Sequence, residues 1–402
     1  MKCKIETFSP VHIGTGEQIY PFDYVVDGEY YIRYLLENLV ERYPSRVDDL
    51  AGKIEHFANR RESRGEQFSL NGFLTDEEID IRENWEYSGF IELETTRLII
   101  EQLSSGFQAD IFEAIKTIQN ELYIPGSSIK GSIRNAIAYS YLKKDNRLLH
   151  RVKEKISRWQ KSRGKDDIGK VAIEELFRNS GEVKGIQSDI LKAVSVSDTQ
   201  TLSPDENLGI CATKTVSIGE RNNYKRWWSF YEVILEDRTL ILDINLSENW
   251  LENQRAFELL GWNKFLGGKR IDFDFIINCC NDFAFDLINH EIDFYEKYNR
   301  EELFNEALNF YDELKDKIET VENNECILRL GKGTGWTGIT AVGLHLIKDE
   351  RFDMNSYRKK TGLGKKYVNL FPKSRLIDAV KKRGDVELYW PLGWVILSFE
   401  GE

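Results

Sequence analysis

Four groups of residues in this 402-residue chain have the types and spacing to do chemistry. The densest is Ile124-Pro125-Gly126-Ser127-Ser128-Ile129-Lys130-Gly131-Ser132-Ile133-Arg134. Lys130 and Arg134 stand four residues apart, so a helix brings them to one side. Beside a helix N-terminus, where backbone N–H groups lack partners, two such cations make an anion site. The second group is His12-Ile13-Gly14-Thr15-Gly16. Its glycines let the backbone approach a ligand closely, and His12 could hold a phosphate or move a proton. The third is the run from Leu330 to Gly338, with Gly331, Lys332, Gly333, Thr334, Gly335 and Trp336. A pliant backbone with one lysine for phosphate and one indole for stacking suits single-stranded nucleic acid. The fourth is a basic strip, Arg358, Lys359, Lys360, Lys365, Lys366, Lys373 and Arg375, uninterrupted by any acid. Each group also has a plainer reading: solvated cations on a strand–turn–helix, a structural histidine, an ordinary glycine turn, and a solvated helical face.

Three enzyme signatures match in letters and fail in context. A P-loop needs lysine after its last glycine, whereas Lys130 precedes Gly131. Ser127-x-x-Lys130, Ser197-Asp198-Thr199 and Lys360-Thr361-Gly362 follow the order of serine–lysine acyl-transfer enzymes. There Thr199 replaces the expected asparagine, and Lys360 lies in a basic, loop-like run rather than a strand. Gly333-x-Gly335-x-x-Gly338 spells a dinucleotide fingerprint, but no apolar strand ending in an acid follows about 20 residues on.

The elements that must position these groups alternate between strand and helix periods. Lys2 to Phe8 alternates as a strand, with Cys3, Ile5 and Thr7 on one face. Tyr24 to Ile32 reads as a hairpin turning at Asp27-Gly28. Residues 35–120 read as a mostly helical insertion. Ile129, Ile133 and Ile137 give the central helix one apolar face, and Ser127 or Ser128 is placed to cap it. Lys143 to Lys170 is basic around Trp159, as a nucleic-acid surface or an exposed helix would be. Ala193 to Asp198 reads as a short strand, and Phe230 to Leu246 as a hairpin turning at Glu236-Asp237-Arg238. A domain break is expected near Thr215, giving units 1–215 and 216–402.

With 41% hydrophobic and 12% aromatic residues, the chain can build a sizeable core. No apolar run approaches the roughly 20 residues that span a bilayer, and Met1 to Glu6 lacks a signal-peptide core, so no membrane association and a cytoplasmic site are expected. Cys3, Cys211, Cys279, Cys280 and Cys326 are scattered without Cys-x-x-Cys pairing, so no structural metal is expected, and no cofactor. The net charge of −12 argues against a free-standing nucleic-acid binder. A local basic strip beside an acidic stretch, residues 291–325, still allows polyanion on one side and basic partners on another.

Taken in order, the first strand with His12-Ile13-Gly14-Thr15-Gly16, the Ile-Pro-Gly-Ser-Ser-Ile-Lys-Gly stretch, Val196-Ser197-Asp198 and the glycine-rich loop resemble the RAMP superfamily of CRISPR-associated proteins. Pro21 to Asp27, the long insertion and Pro372-Lys373-Ser374-Arg375 are similar to the subunit that caps the crRNA 3′ end in type III-A (Csm) complexes. The resemblance implies an α+β fold of RRM-like (ferredoxin-like) modules. It also implies a non-catalytic subunit, bound to the 3′ region of crRNA, that supports crRNA maturation and complex assembly in antiviral defence. Its partners would be the backbone RAMP subunit, the small helical subunit and host nucleases. The residues it assigns to RNA are His12, Gly14, Thr15, Gly16, Ser127, Ser128, Lys130, Arg134, Gly331, Lys332, Gly333, Thr334 and Gly335, to which the stacking indole Trp336 and the strip cations Lys373 and Arg375 are added as RNA-binding residues. An alternative within the superfamily is a metal-independent endoribonuclease that processes crRNA through His12. In backbone subunits of the family an aspartate cleaves target RNA; Asp23 stands in a loosely comparable place, and no cleavage is expected from it.

Overall fold

A computed structural model describes residues 1–34, 40, 41, 43–59, 70–76, 85–105, 109–161, 173–178, 183, 185–219, 223–262, 271–300, 302–363 and 370–400. Among these, the strands form two sheets. The smaller is antiparallel throughout, in the order β11 (Glu325–Arg329), β14 (Trp394–Phe399), β1 (Lys2–Thr7), β10 (Thr239–Leu246) and β7 (Val194–Val196). The larger runs β2 (Gly14–Ile19), β6 (Ile111–Ala114), β9 (Ser229–Ile234), β8 (Leu208–Ser217), β5 (Trp85–Ile91), β4 (Tyr30–Tyr34) and β3 (Tyr24–Asp27). From β8 it branches to β12 (Ser374–Lys382) and on to β13 (Asp385–Pro391). The fold is α+β.

The period-2 reading of the first strand holds: Cys3, Ile5 and Thr7 are buried and the residues between them are exposed. The Asp27-Gly28 hairpin also holds, with Asp27 paired to Tyr30 and Gly28 at φ +61°, a conformation glycine adopts without strain. The turn at Glu236-Asp237-Arg238 does not close a hairpin. It carries the chain from β9 in the larger sheet to β10 in the smaller one. Alternation along Leu240, Leu242 and Ile244 identified a strand with one buried face, but not which sheet would cover that face.

The segment 35–120 is only partly an added helical unit. Helices α1 (Val47–Asn59) and α2 (Leu70–Asp76) contribute Leu50, Leu70, Phe73 and Leu74 to a small core with Val25, Ile32 and Tyr34 of the β3–β4 hairpin. The same segment supplies β5 and β6 to the larger sheet, with α3 (Leu93–Ser104) between them. Both sheets draw strands from both sides of residue 215, and Thr215 itself lies within β8, paired with Leu376. The sequence stretches 60–69, 162–172 and 263–270, and Lys365 and Lys366 of the basic strip, lie outside the described residues.

The main helix, α4 (Gly126–Lys144), buries Ile129, Ile133 and Ile137 completely. Each such side chain contributes roughly 1.5–3 kcal/mol by leaving water. Helix α4 packs on α5 (Asn146–Lys161) and on α6 (Phe273–Tyr298), which it meets through Tyr139 on Asp286, Ser140 on Asp282 (2.9 Å) and Lys143 bridging both aspartates. Helix α7 (Asn305–Thr320) follows and presents Glu306, Asp312, Glu313, Asp316 and Glu319 outward. That acidic face repels polyanion and confines any RNA path to other sides of the molecule.

Candidate nucleic-acid interface

The chain before α4 is clasped rather than open. Ile124 N–H donates to Thr199 Oγ1 at 2.9 Å, and Thr199 N–H donates back to the Ile124 carbonyl at 3.1 Å. Gly126 N–H donates to Asp198 Oδ1 at 2.8 Å, so the cap on this helix start comes from Asp198 and not from Ser127 or Ser128. A Cβ on Gly126 would clash with the carbonyls of Val196 and Ser197. Ser127 stays exposed and Ser128 half-buried.

The two cations of this stretch are tied to protein groups. Lys130 Nζ donates to the Val194 carbonyl at 2.7 Å, and burial, with Arg134 nearby, lowers its pKa. Arg134 pairs with Asp189 at 2.7 Å and lies over the Phe177 ring; Asp189, whose side chain is 4% exposed, also receives Arg178. An anion bound here would compete with these internal partners. The serine–lysine arrangement is not assembled either, because Lys130 faces Val194 and Lys360 donates to the Trp159 carbonyl.

The first loop and the glycine-rich loop meet, although more than 300 residues separate them in sequence. Lys332 N–H donates to the His12 carbonyl at 2.8 Å, and Gly331, at φ +62°, packs so tightly there that a Cβ would overlap the same carbonyl. Gly333 rests on Leu392, and Thr334 is buried with Oγ1 on the Gly331 carbonyl at 2.7 Å. Gly335 is exposed at φ +68°. Of the fingerprint glycines, Gly333 lies against the Leu392 backbone and Gly338 against the Thr334 side chain; β11 pairs antiparallel with β14 and not within a parallel βαβ unit, so the dinucleotide reading falls. Trp336 donates Nε1–H to Tyr357 Oη and packs edge-on to Phe371, an arrangement that fixes the indole inside an aromatic group.

His12 is 4% exposed. Its Nδ1 lies 2.7 Å from the Glu232 carbonyl; a carbonyl only accepts, so Nδ1 carries the proton. Nε2 faces Gly14, where a Cβ would sit 2.6 Å away. Burial lowers the His12 pKa against the opposing pull of the Glu232 carbonyl, and the ring is neutral at neutral pH. Beneath it, the fully buried Glu232 accepts from Lys116 at 2.5 Å, from Ala114 N–H and from Tyr87 Oη. These groups fasten β5, β6 and β9 together. A nearly enclosed, neutral His12 does not favour the endonuclease alternative, which needs an imidazole open to a phosphodiester. Asp23 accepts from Tyr20 N–H and faces Arg33, a turn-stabilising role.

The residues that face solvent at this junction include Gly14, Thr15, Gly16, Glu17, Gly331 and Lys332. The Lys332 ammonium lies 5.6 Å over Phe112 and 5.4 Å over Tyr231, two rings that stack on each other. Of the late basic residues, Arg375 is 6% exposed and locked to Glu291 at 2.5 Å. That buried pair, with Phe294 under the guanidinium, removes Arg375 from any surface RNA can reach without unfolding. Arg358 is also buried, over Phe371, while Lys373 is half-buried.

The turn between β8 and β9 supplies residues that spacing arguments passed over. Lys225, Arg226 and Trp227 cluster there, with Arg226 exposed and Trp227 60% exposed, the largest exposed indole among the described residues. The signal was present in Tyr224-Lys225-Arg226-Trp227-Trp228, where basic residues are interleaved with aromatics.

Comparison with known proteins places this architecture. The RAMP superfamily profile matches residues 4–337. A Csm5 protein of Methanocaldococcus jannaschii is 26% identical over 87% of this chain and 75% of its own length. A Csm5 protein of Streptococcus thermophilus is 24% identical over 65% of this chain and 67% of its own. A chain in a cryo-EM structure of a type III-A Csm–crRNA–target RNA ternary complex shares the fold, with a TM-score of 0.72, 22% identity, and coverage of 99% of this chain and 100% of that one. The crystal structure of T. onnurineus Csm5 does so with a TM-score of 0.66, 20% identity, and coverage of 98% and 99%. With a profile match over most of its length and Csm5 relatives along it, the chain belongs to the RAMP superfamily, as a Csm5-like member.

Proposed function

We propose that this chain is a subunit of a type III-A Csm complex that binds the 3′ region of the crRNA without cleaving it. The observation that carries the reading is likeness over essentially the whole chain to one subunit of a Csm–crRNA–target RNA assembly. The order β14–β1–β10–β7, with α4 following β1 and α6 following β10, is that of strands 4, 1, 3 and 2 of a βαββαβ unit, which supports an RRM-like module. The RNA surface we assign consists of Thr15, Gly16 and Lys332 at the joined loops, and Arg226 and Trp227 at the β8–β9 turn. Backbone amides, cations and one stacking ring hold RNA without reading its sequence, as a carrier of variable guides requires. Lys130, Arg134 and Arg375 act instead within the protein. In the complex, a backbone RAMP subunit and the small helical subunit are the neighbours, and shielding of the crRNA 3′ end is the contribution to maturation.

The test is crosslinking in complexes purified from the native host, with RNA sequenced at the crosslinked nucleotides. Crosslinks from Lys332 and Trp227 to the 3′ portion of RNAs that share a repeat-derived 5′ tag are expected. Crosslinks confined to the 5′ tag would overturn the capping assignment, and complexes lacking this chain with unchanged crRNA 3′ ends would overturn the role in maturation.

A further inference from the structure

The β8–β9 connection contains a wide bulge with an unusual filling. Lys225 N–H donates to the Thr215 carbonyl at 2.8 Å, and Ser229 pairs with Thr213. Between these two pairings a single residue of β8, Lys214, stands opposite three: Arg226, Trp227 and Trp228. A bulge of this kind leaves backbone groups without ladder partners. Here the Lys214 ammonium collects the carbonyls, at 2.8 Å from Arg226 O and 3.4 Å from both Lys225 O and Trp227 O. It also sits 4.0 Å from the centre of the Trp228 ring and 5.5 Å from that of Tyr224. Lys214 is 2% exposed. A lysine is almost never so buried unless it is fully partnered, and no carboxylate among the described residues pairs with it; carbonyl dipoles and aromatic faces hold the charge.

We propose that Lys214 is a positioning residue: its ammonium pins the three-residue bulge so that Trp227 and Arg226 stand out as a preformed finger for an unstacked RNA base and its phosphate. The proposal rests on the RNA-binding role proposed above and names the device that prepares one part of that surface. Preformation matters because an exposed loop of this length otherwise loses its conformational freedom on binding, which weakens affinity. Burial, with Lys381 of β12 nearby, lowers the Lys214 pKa to about 8, consistent with a cation held away from water. Tyr224, Lys225 and Arg226 are the other titratable groups of the bulge.

The experiment compares Lys214→Met, Trp227→Ala and the double variant of the full chain by two readouts. The first is trypsin cleavage after Lys225 and Arg226 without RNA. We expect at least a tenfold faster cut at these two bonds in Lys214→Met, with cutting elsewhere unchanged. The second is affinity for a fluorescein-labelled 12-nucleotide oligouridine. Each single variant is expected to bind about tenfold more weakly and the double variant no worse than either. Wild-type cleavage at Lys225 and Arg226 in Lys214→Met overturns the pinning role, whatever RNA does. Faster cleavage with wild-type affinity, while Trp227→Ala binds weakly, overturns the link between pinning and binding and leaves the RNA surface standing. Wild-type affinity in Trp227→Ala removes the finger from the RNA surface, and the proposal with it. Should Lys214→Met fail to fold, Lys214→Gln enters the same assays, with a threefold effect expected in each.

Discussion

The start of α4 and the bulge between β8 and β9 both join cations to a turn, yet they use them in opposite ways. At α4, Lys130 and Arg134 point into the protein, onto the Val194 carbonyl and Asp189. At the bulge, Lys214 points inward and thereby leaves Arg226 and Trp227 in solvent. The first region is a fastener that joins α4 to β7 and the residues around it; the second is a fastener that presents something. A basic residue beside a helix N-terminus is therefore not yet an anion site: what decides is whether buried acceptors nearby claim its donors first.

Substitutions at the fastener should damage the fold more than RNA binding. The largest effect is expected for Gly126→Ala. Its Cβ would run into two backbone carbonyls, which cannot move without opening the Asp198 and Thr199 bonds. A loss of about 3 kcal/mol or more is expected from such overpacking, measured by urea unfolding. Arg134→Met comes next. It leaves the buried Asp189 with Arg178 and the Leu191 N–H, and because the Arg134 side chain is 23% exposed the cost should be about 2 kcal/mol, below that of a fully buried pair. If Arg134→Met instead unfolded like wild type and lost RNA, the contrast between the regions would be reversed.

Trp227→Ala tests the other side of the contrast. The indole is 60% exposed and meets the Lys225 ammonium at 5.6 Å, a surface contact, so stability should stay within about 0.5 kcal/mol of wild type. Affinity for single-stranded RNA should fall about tenfold, the loss of one stacked base. Filter binding and a thermal melt on the same preparation settle both halves.

How much of this was legible in the sequence follows from the range of the interactions. The apolar face of α4, Ile129, Ile133 and Ile137, needed only periodicity. So did β1, and the tight turn at Asp27-Gly28. The partners of the candidate cations were not legible, since Asp189 lies 55 residues from Arg134 and Val194 lies 64 from Lys130. Spacing within a motif shows which side chains share a face and says nothing of which distant carbonyl or carboxylate will meet them. The same limit hid the pairing of β9 and β10 into separate sheets. Strand β5 was hidden differently: Trp85 to Ile91 is rich in aromatics, but the charged, helical text around it dominated the reading. The superfamily resemblance succeeded where local physics stopped because it rests on the order of several motifs, and the structure brings two of them, at His12 and Lys332, into contact.

The smallest expected effect concerns β8 itself, the strand that carries Lys214. On β12 beside it, Asp378 is half-buried, with Cys211 Sγ donating to its Oδ1 at 3.0 Å. Burial pushes the Asp378 pKa up to about 7, with the Cys211 thiol opposing and Glu92 and Glu236 adding to the rise. The folded protein therefore keeps a proton that the unfolded chain has released. The stability this contributes is complete below the ordinary carboxylate range and drains away as pH rises toward 7. Asp378→Asn carries no such proton, so its stability relative to wild type should improve by about 1 kcal/mol between pH 6 and pH 8, read from urea unfolding at the two pH values. Gly126→Ala, far from this strand, should show no comparable pH step in its difference from wild type. A flat difference for Asp378→Asn would mean that the carboxyl does not change its charge between pH 6 and pH 8. Were it ionised throughout, the β8–β12 pairing would tolerate a charge on β12, beside the strand that carries Lys214.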